Sequence, residues 1–232
     1  MRVDVWSDVV CPWCYIGKRR LEAALERFPH RERVEVVFHS FELDPSAPKV
    51  NTMPLSEMLA KKYGMSKAKA DEMQAHVTSV AAQDGLDFHL EKAAPENTFD
   101  AHRLIHLAKA RGKQDAVKEA LMAAYFVRGE RVGDAGTLTT IGVEAGLDEA
   151  EVRAALADAS AYAAAVREDE AKAQQFGIRG VPFFVLDEKY GVSGAQPAEA
   201  LLAALSRAWM ERPPEAAAGA VCDDDACDVP EA

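Results

Sequence analysis

An α/β core interrupted by a long all-helical insertion is the fold class this sequence predicts, and three observations predict it. First, the alternating Val3-Asp4-Val5-Trp6 and the apolar Val34-Glu35-Val36-Val37-Phe38 bracket a helical stripe at Ile16, Leu21, Leu25 and Phe28, a β-α-β pattern. Second, from about Pro54 to Gln175 nearly all apolar residues recur at helical spacing. Third, Phe183-Phe184-Val185-Leu186 returns the chain to a strand-like run, and a last apolar helix follows. This reading divides the chain into an α/β domain over 1–50 and 176–212, a helical insertion over 51–175 and a flexible acidic tail over 213–232.

Each element has a local justification. Pro12 suits the first turn of the first helix, because its missing N–H would be unbonded there and its φ is already helical. The strands on either side of that helix should pair in parallel. Pro45 and Pro48 then mark a connection rather than regular structure. Within the insertion, four stripes are visible: Leu55, Met58 and Leu59; Met73, His76, Val77 and Val80; Leu104, Ile105 and Ala108; and Val117, Leu121 and Tyr125. Ser66, Thr98 and Asp148 are candidate N-caps, with Asp148-x-x-Glu151 resembling a capping box. Gly64, Gly112, Gly146 and Gly177 stand where helices should stop. A turn at Asp187–Tyr190 leads to a short strand around Gly191–Gly194. Pro197 opens the last helix, with Leu201, Leu202, Leu205 and Trp209 on its apolar face, and Pro213-Pro214 ends it.

The chemistry gathers at Cys11-Pro12-Trp13-Cys14, between the first strand and the first helix. At a helix N-terminus the unpaired N–H groups and the positive end of the macrodipole favour an anion, so the first sulfur should be held partly as thiolate. Cys14 lies a turn deeper, within reach of a mixed disulfide formed at Cys11. The expected reaction is dithiol–disulfide exchange, with Cys11 as nucleophile and Cys14 as resolving thiol. In an intracellular chain, C-x-x-C beside a β-α-β pattern reads as a redox motif. Half of a zinc site is the alternative, and it needs two further ligands that no nearby Cys or His pair offers.

Composition bounds the setting. The 232 residues are 49% hydrophobic, enough for a real core. The net charge of −11 is uneven, because Glu215, Asp223, Asp224, Asp225, Asp228 and Glu231 place six acids and no base beyond Pro213. An acidic surface repels phosphate backbones, which argues against a nucleic-acid partner. The first residues enter a strand with no basic and apolar leader, and no apolar run of 18 residues exists, so the expectation is a cytoplasmic chain without a membrane span. Two close cysteine pairs do not resemble a secreted disulfide framework.

The order of parts, together with Ser7-Asp8-x-x-Cys11-Pro12-Trp13-Cys14, Asn97-Thr98-x-x-Ala101-His102-Arg103 and Gly180-Val181-Pro182-Phe183-Phe184, resembles the DsbA-like branch of the thioredoxin superfamily. Within that branch it is similar to the cytoplasmic FrnE-type oxidoreductases linked to oxidative stress, over about residues 1–210. The resemblance implies a thioredoxin fold with the helical insertion between its β-α-β and β-β-α halves. It also implies that Pro182 is a cis-proline facing Cys11, with the backbone of Val181 available to a bound peptide. Val181, Pro182 and Trp13 are thus the expected substrate-binding residues. Expected partners are protein or peptide thiols and disulfides, with glutathione or a thioredoxin-type reductant as electron partners, and neither metal nor cofactor is implied. One departure stands out: DsbA carries a histidine between its cysteines that helps to stabilise the thiolate, and Trp13 stands in that place. The pair should then be less oxidising than DsbA and nearer to thioredoxin, a gap of roughly 150 mV.

Other residues carry weaker signals. Asp8 could act on a Cys14 proton or cap the following helix, and a local structural role is favoured. Lys18, Arg19 and Arg20 read as a solvated basic face that adds weak positive potential. His102 and His106 share a helix face, but a packed or surface role is commoner for such a pair than metal. Through the resemblance, Asn97, His102 and Arg103 would fix the insertion over the site. Met53, Met58, Met65, Met73 and Met122 read as core rather than as an adaptable cleft for unfolded peptide. Cys222-x4-Cys227 also resembles a second cysteine motif of some FrnE proteins, although neighbouring aspartates should raise those thiols' pKa values. The nine residues from Pro213 to Val221 could span on the order of 30 Å, so the pair can return over the domain as an auxiliary redox pair. A metal site of these thiols and Asp oxygens is its alternative. The leading reading of the chain is a protein disulfide oxidoreductase. Its rivals are a glutathione-dependent isomerase of the 2-hydroxychromene-2-carboxylate type, which typically has Ser at the place of Cys11, and a redox-regulated chaperone-like binding protein.

Overall fold

The computed structural model describes residues 1–212, so Cys222 and Cys227 lie outside the described residues. Four strands form one mixed sheet: β1 (Arg2–Ser7), β2 (Glu35–Ser40), β3 (Phe183–Leu186) and β4 (Tyr190–Ser193), in the order β2-β1-β3-β4. β1 runs parallel to β2, Val5 opposite Phe38, and antiparallel to β3, Val5 opposite Phe184. Helix α1 (Pro12–Glu26) joins the parallel pair, and α9 (Ala198–Met210) follows the β3–β4 hairpin. This is a thioredoxin-like arrangement. The hairpin turn closes with a bond from Lys189 N–H to the Leu186 carbonyl, 3.0 Å, and places Asp187 and Glu188 at positive φ, while Leu186 pairs with Tyr190 across the connection.

Between β2 and β3 stand α2 (Leu55–Tyr63), α3 (Lys67–Gln83), α4 (Phe99–Ala110), α5 (Gln114–Ala123), α6 (Ala135–Glu144), α7 (Glu149–Ala157) and α8 (Ala163–Gln175). Ser66 and Asp148 cap α3 and α7 by accepting from the N–H of Lys69 and Glu151. Thr98 occupies the cap position of α4 without a side-chain bond; Asn97, one residue earlier, instead accepts from Phe99 N–H at 3.0 Å. The reciprocal half of the expected capping box is also missing, because Glu151 pairs with Arg111. Gly64, Gly112, Gly146 and Gly177 all end helices at positive φ, as their spacing predicts. Past Ala123 the helix α5 widens into a π turn over Ala124–Arg128, which places Tyr125 and Phe126 in the core.

Two large apolar clusters organise the molecule. One packs Val3, Val5 and Phe184 of the sheet against Leu21 of α1 and Leu201 and Leu205 of α9. The other is the core of the helical segment, and it takes in Cys11, Cys14, Tyr15 and Ile16. The front of α1 is therefore buried against the insertion and its rear against the sheet. Ion pairs strengthen the first junction. Lys18 is only 4% exposed, enclosed by Glu22, Asp115 and Glu119, while Arg19 binds Glu119 and Arg20 binds Asp84. The expected solvated basic face is thus a set of tertiary contacts, because α5 and the end of α3 cover it. The edge strand β2 is closed by Gln114, whose amide accepts from Phe38 N–H at 3.1 Å and donates to the Phe38 carbonyl at 2.8 Å.

Candidate active site

The residues after β1 turn sharply and deliver Cys11 to the N-cap of α1, with Pro12 at the first helical position. Cys11 and Cys14 are both free thiols and both buried, and Cys14 N–H bonds the Cys11 carbonyl at 3.0 Å. The Val181–Pro182 peptide bond is cis, and the Cys11 thiol faces the Val181 carbonyl oxygen at 3.6 Å. The structure therefore brings Cys11, Cys14, Val181 and Pro182 together from opposite ends of the chain. Gly17 makes this approach possible, since a Cβ there would lie 2.9 Å from Pro182 Cγ and 3.3 Å from Phe184 Cζ.

The two sulfurs are not equivalent. Burial pushes the Cys14 thiol well above its ordinary range, and its contact with Cys11 pushes in the same direction. Cys11 has the helix terminus and an open side. Beside it lies a cavity of about 460 Å³, walled by Trp13, Val181, Leu55, Met58, Leu59 and Val77. Trp13 is 38% exposed at its rim. Met73 and His76 also line this space, so two members of the expected α3 stripe face the opening rather than the core. The methionines divide accordingly: Met122 is core, Met58 and Met73 face the cavity, and Met53 is exposed.

Beneath the motif, Asp8 accepts from Leu43 N–H at 2.8 Å and meets His102 Nε2 at 3.3 Å, while its carbonyl accepts from Cys11 N–H at 3.4 Å. Burial alone would raise the Asp8 carboxyl, but His102, the Leu43 N–H and the charge of Lys118 hold it below the ordinary carboxylate range. Its carboxylate ties the β2 connection and α4 to the motif instead of capping α1. His106 turns elsewhere, to Ser40 and Asp169, both at 3.1 Å, so the two histidines do not converge on one point. Asn97 reaches Glu42 and the Pro45 carbonyl and locks α4 onto the same connection. Arg103 serves the insertion itself, donating to the carbonyls of Ala155, Leu156, Asp158 and Ala161 at the end of α7.

Sequence reasoning missed one group under the site. Lys118 on α5 is fully buried, and its Nζ lies 3.5 Å from the Ser7 carbonyl. Burial lowers its pKa to about 8, against the pull of Cys14, Asp8 and Cys11. The signal was present, because Lys118, Leu121, Met122 and Tyr125 share one helix face and that face is otherwise apolar.

Comparison with known proteins agrees with this geometry. A DsbA-like thioredoxin domain model matches residues 2–206. The crystal structure of a probable DsbA oxidoreductase from Streptomyces coelicolor is 50% identical, with a TM-score of 0.90 and all of both chains covered. An uncharacterised Bacillus subtilis protein, YwbO, is 28% identical over 190 residues, 81% of this chain and 88% of the relative. The cytosolic disulfide reductase DsbM from Pseudomonas aeruginosa, solved with glutathione, shares the fold at 19% identity and a TM-score of 0.64, covering 90% of this chain and all of that one. With its C-x-x-C helix, facing Val181-Pro182 loop and sheet order, the chain belongs to the DsbA-like thioredoxin domain family.

Proposed function

We propose that the protein is a thiol–disulfide oxidoreductase and isomerase of polypeptide disulfides, with Cys11 as nucleophile and Cys14 as resolving thiol. The observation that carries this reading is the position of Cys11: an N-cap thiol against the Val181 carbonyl, at the edge of an apolar cavity. A substrate sulfur bonded to Cys11 would sit beside Val181 and Pro182, where an extended peptide can align its backbone. Cys14 then attacks Cys11, closes the intramolecular disulfide and releases the substrate as thiol. The largely apolar walls of the cavity favour an apolar segment of polypeptide over a small, highly polar zwitterion such as glutathione, and glutathione or a thioredoxin-type reductant serves as electron partner. The likeness of its sequence motifs to those of the FrnE-type oxidoreductases supports a cytoplasmic setting. Among the described residues no helix is long and apolar enough to cross a membrane.

Replacing Cys11 by Ser should abolish insulin reduction; a variant with full activity would refute the assignment. Cys222 and Cys227 enter the proposal as an auxiliary pair that exchanges with Cys11–Cys14. Replacing both by Ser should slow reoxidation of the Cys11–Cys14 dithiol, and an unchanged rate would remove them from the cycle.

A further inference from the structure

Lys118 has no role in the exchange just described, yet its location is costly. An ammonium fully removed from water gives up its solvation, and that loss is offset only where anions or good acceptors face it. Among the described residues, no carboxylate approaches Lys118 within ion-pair distance of 4.0 Å. Its one hydrogen bond, to the Ser7 carbonyl at 3.5 Å, is long for a buried cation. The titratable groups that face it come from two sides. Helix α1 presents Cys11, Cys14 and the like-charged Lys18, and Lys18 is itself enclosed by Glu22, Asp115 and Glu119. The turn after β1 presents Asp8, already engaged by Leu43 and by His102 of α4. Asp8 carries its charge whether the pair is oxidised or reduced, whereas the two sulfurs are anionic only when the pair is reduced, so the charge that changes opposite Lys118 is theirs.

We propose that Lys118, carried by the helical segment to the underside of the motif, is the positioning cation that offsets negative charge on the Cys11–Cys14 sulfurs and so sets how oxidising the pair is. The proposal rests on the exchange reading above. In the oxidising direction a substrate thiolate attacks Cys11 Sγ, the Cys11–Cys14 bond breaks, and Cys14 leaves with the electron pair as a thiolate facing Lys118. A second substrate thiolate attacks the substrate sulfur of the mixed disulfide, and Cys11 leaves as thiolate. The substrate dithiol has lost two electrons to the enzyme disulfide, and the protons shed by the substrate thiols return to the enzyme sulfurs or to solvent. Charge on sulfur appears only on the reduced side, so a fixed cation stabilises that side and makes the disulfide more oxidising. Trp13, which is neutral and stands at the rim, supplies no such charge from within the motif.

The test compares Lys118→Met and Lys118→Arg, reading thiolate absorbance against pH and the equilibrium with reduced and oxidised glutathione. Lys118→Met should raise the thiolate midpoint by about one pH unit and lower the equilibrium constant for oxidation of glutathione about tenfold, some 30 mV. Lys118→Arg should keep both near wild type. A folded Lys118→Met protein with both readouts unchanged would overturn the proposal. Should the Met variant fail to fold, the wild-type protein decides: with 13C-labelled lysine, the Lys118 signal should titrate at lower pH in the oxidised protein than in the reduced one. Equal midpoints would also overturn it. If the Cys11→Ser variant still reduced insulin, the exchange reading itself would fail; a cycling pair insensitive to Lys118 sinks this inference alone.

Discussion

Gly17 stands one turn beyond Cys14 and shows how a residue without chemistry can govern a reactive one. Its missing side chain lets α1 lie against Pro182, with only 2.9 Å between a Cβ there and Pro182 Cγ. Gly17→Ala must therefore push the Val181-Pro182 loop off Cys11 or strain the helix, an overpacking of about 1–3 kcal/mol. Urea denaturation should show that loss, and insulin reduction should fall with it, whereas an unchanged pair of readings would mean that the loop yields freely. Arg103 acts through carbonyls in the same structural way. Four carbonyls at the end of α7 converge on its guanidinium, so Arg103→Ala should destabilise by about 1.5–3 kcal/mol in the same assay, with the thiols' exchange chemistry preserved in the folded fraction.

At the scale of elements, the junction between the sheet and α8 is a buried ionic layer. His39 on β2 lies between Asp4 of β1 at 2.6 Å and Asp169 of α8 at 2.5 Å, and the Trp6 ring stacks on it with centroids 4.4 Å apart. Burial opposes charge on His39, but its bonds to Asp169 and Asp4 outweigh burial and raise its pKa. Burial likewise opposes the two carboxylates, yet His106 and His39 at Asp169, and His39 and Arg2 at Asp4, hold both below the usual range. The contribution of His39 is thus complete below about pH 6.5, its unfolded value, and is lost as pH rises through the elevated folded value. That of the carboxylates is complete above about pH 3.9 and is lost as pH falls through their depressed values. The layer should contribute most between about pH 4 and 6.5. The difference in urea midpoint between wild type and His39→Gln, which isolates the layer from other titrating groups, should therefore shrink from pH 5.5 to pH 9; a constant difference would mean that the layer does not titrate with folding.

For the whole molecule, what was legible in the sequence was what local spacing encodes. The four strands, the run of helices between β2 and β3, the helix stops at glycine and the N-cap cysteine all follow from periods of 2 and 3.6 and from turn chemistry within a few residues. Lys118 left a sign only in the otherwise apolar helix face it shares, whereas Lys18 was not legible as a buried group, because covering it takes contacts between α1 and α5, about a hundred residues apart. Gly17 and the His39 layer were hidden for the same reason, and the Asn97 cap escaped because Thr98 offered an equally good cap by spacing. What the fold adds is a division of labour: the sheet and Val181-Pro182 hold one side of Cys11, and the helical segment supplies the cavity and the buried base of the motif. The claim on which all of this depends is that Cys11 carries the substrate and Cys14 resolves it. Trapping tests it directly, by mixing the Cys14→Ser variant with an unfolded polypeptide disulfide and locating the adduct by peptide mass mapping. A stable mixed disulfide on Cys11 is the predicted result, and absence of an adduct from the folded variant would contradict the account.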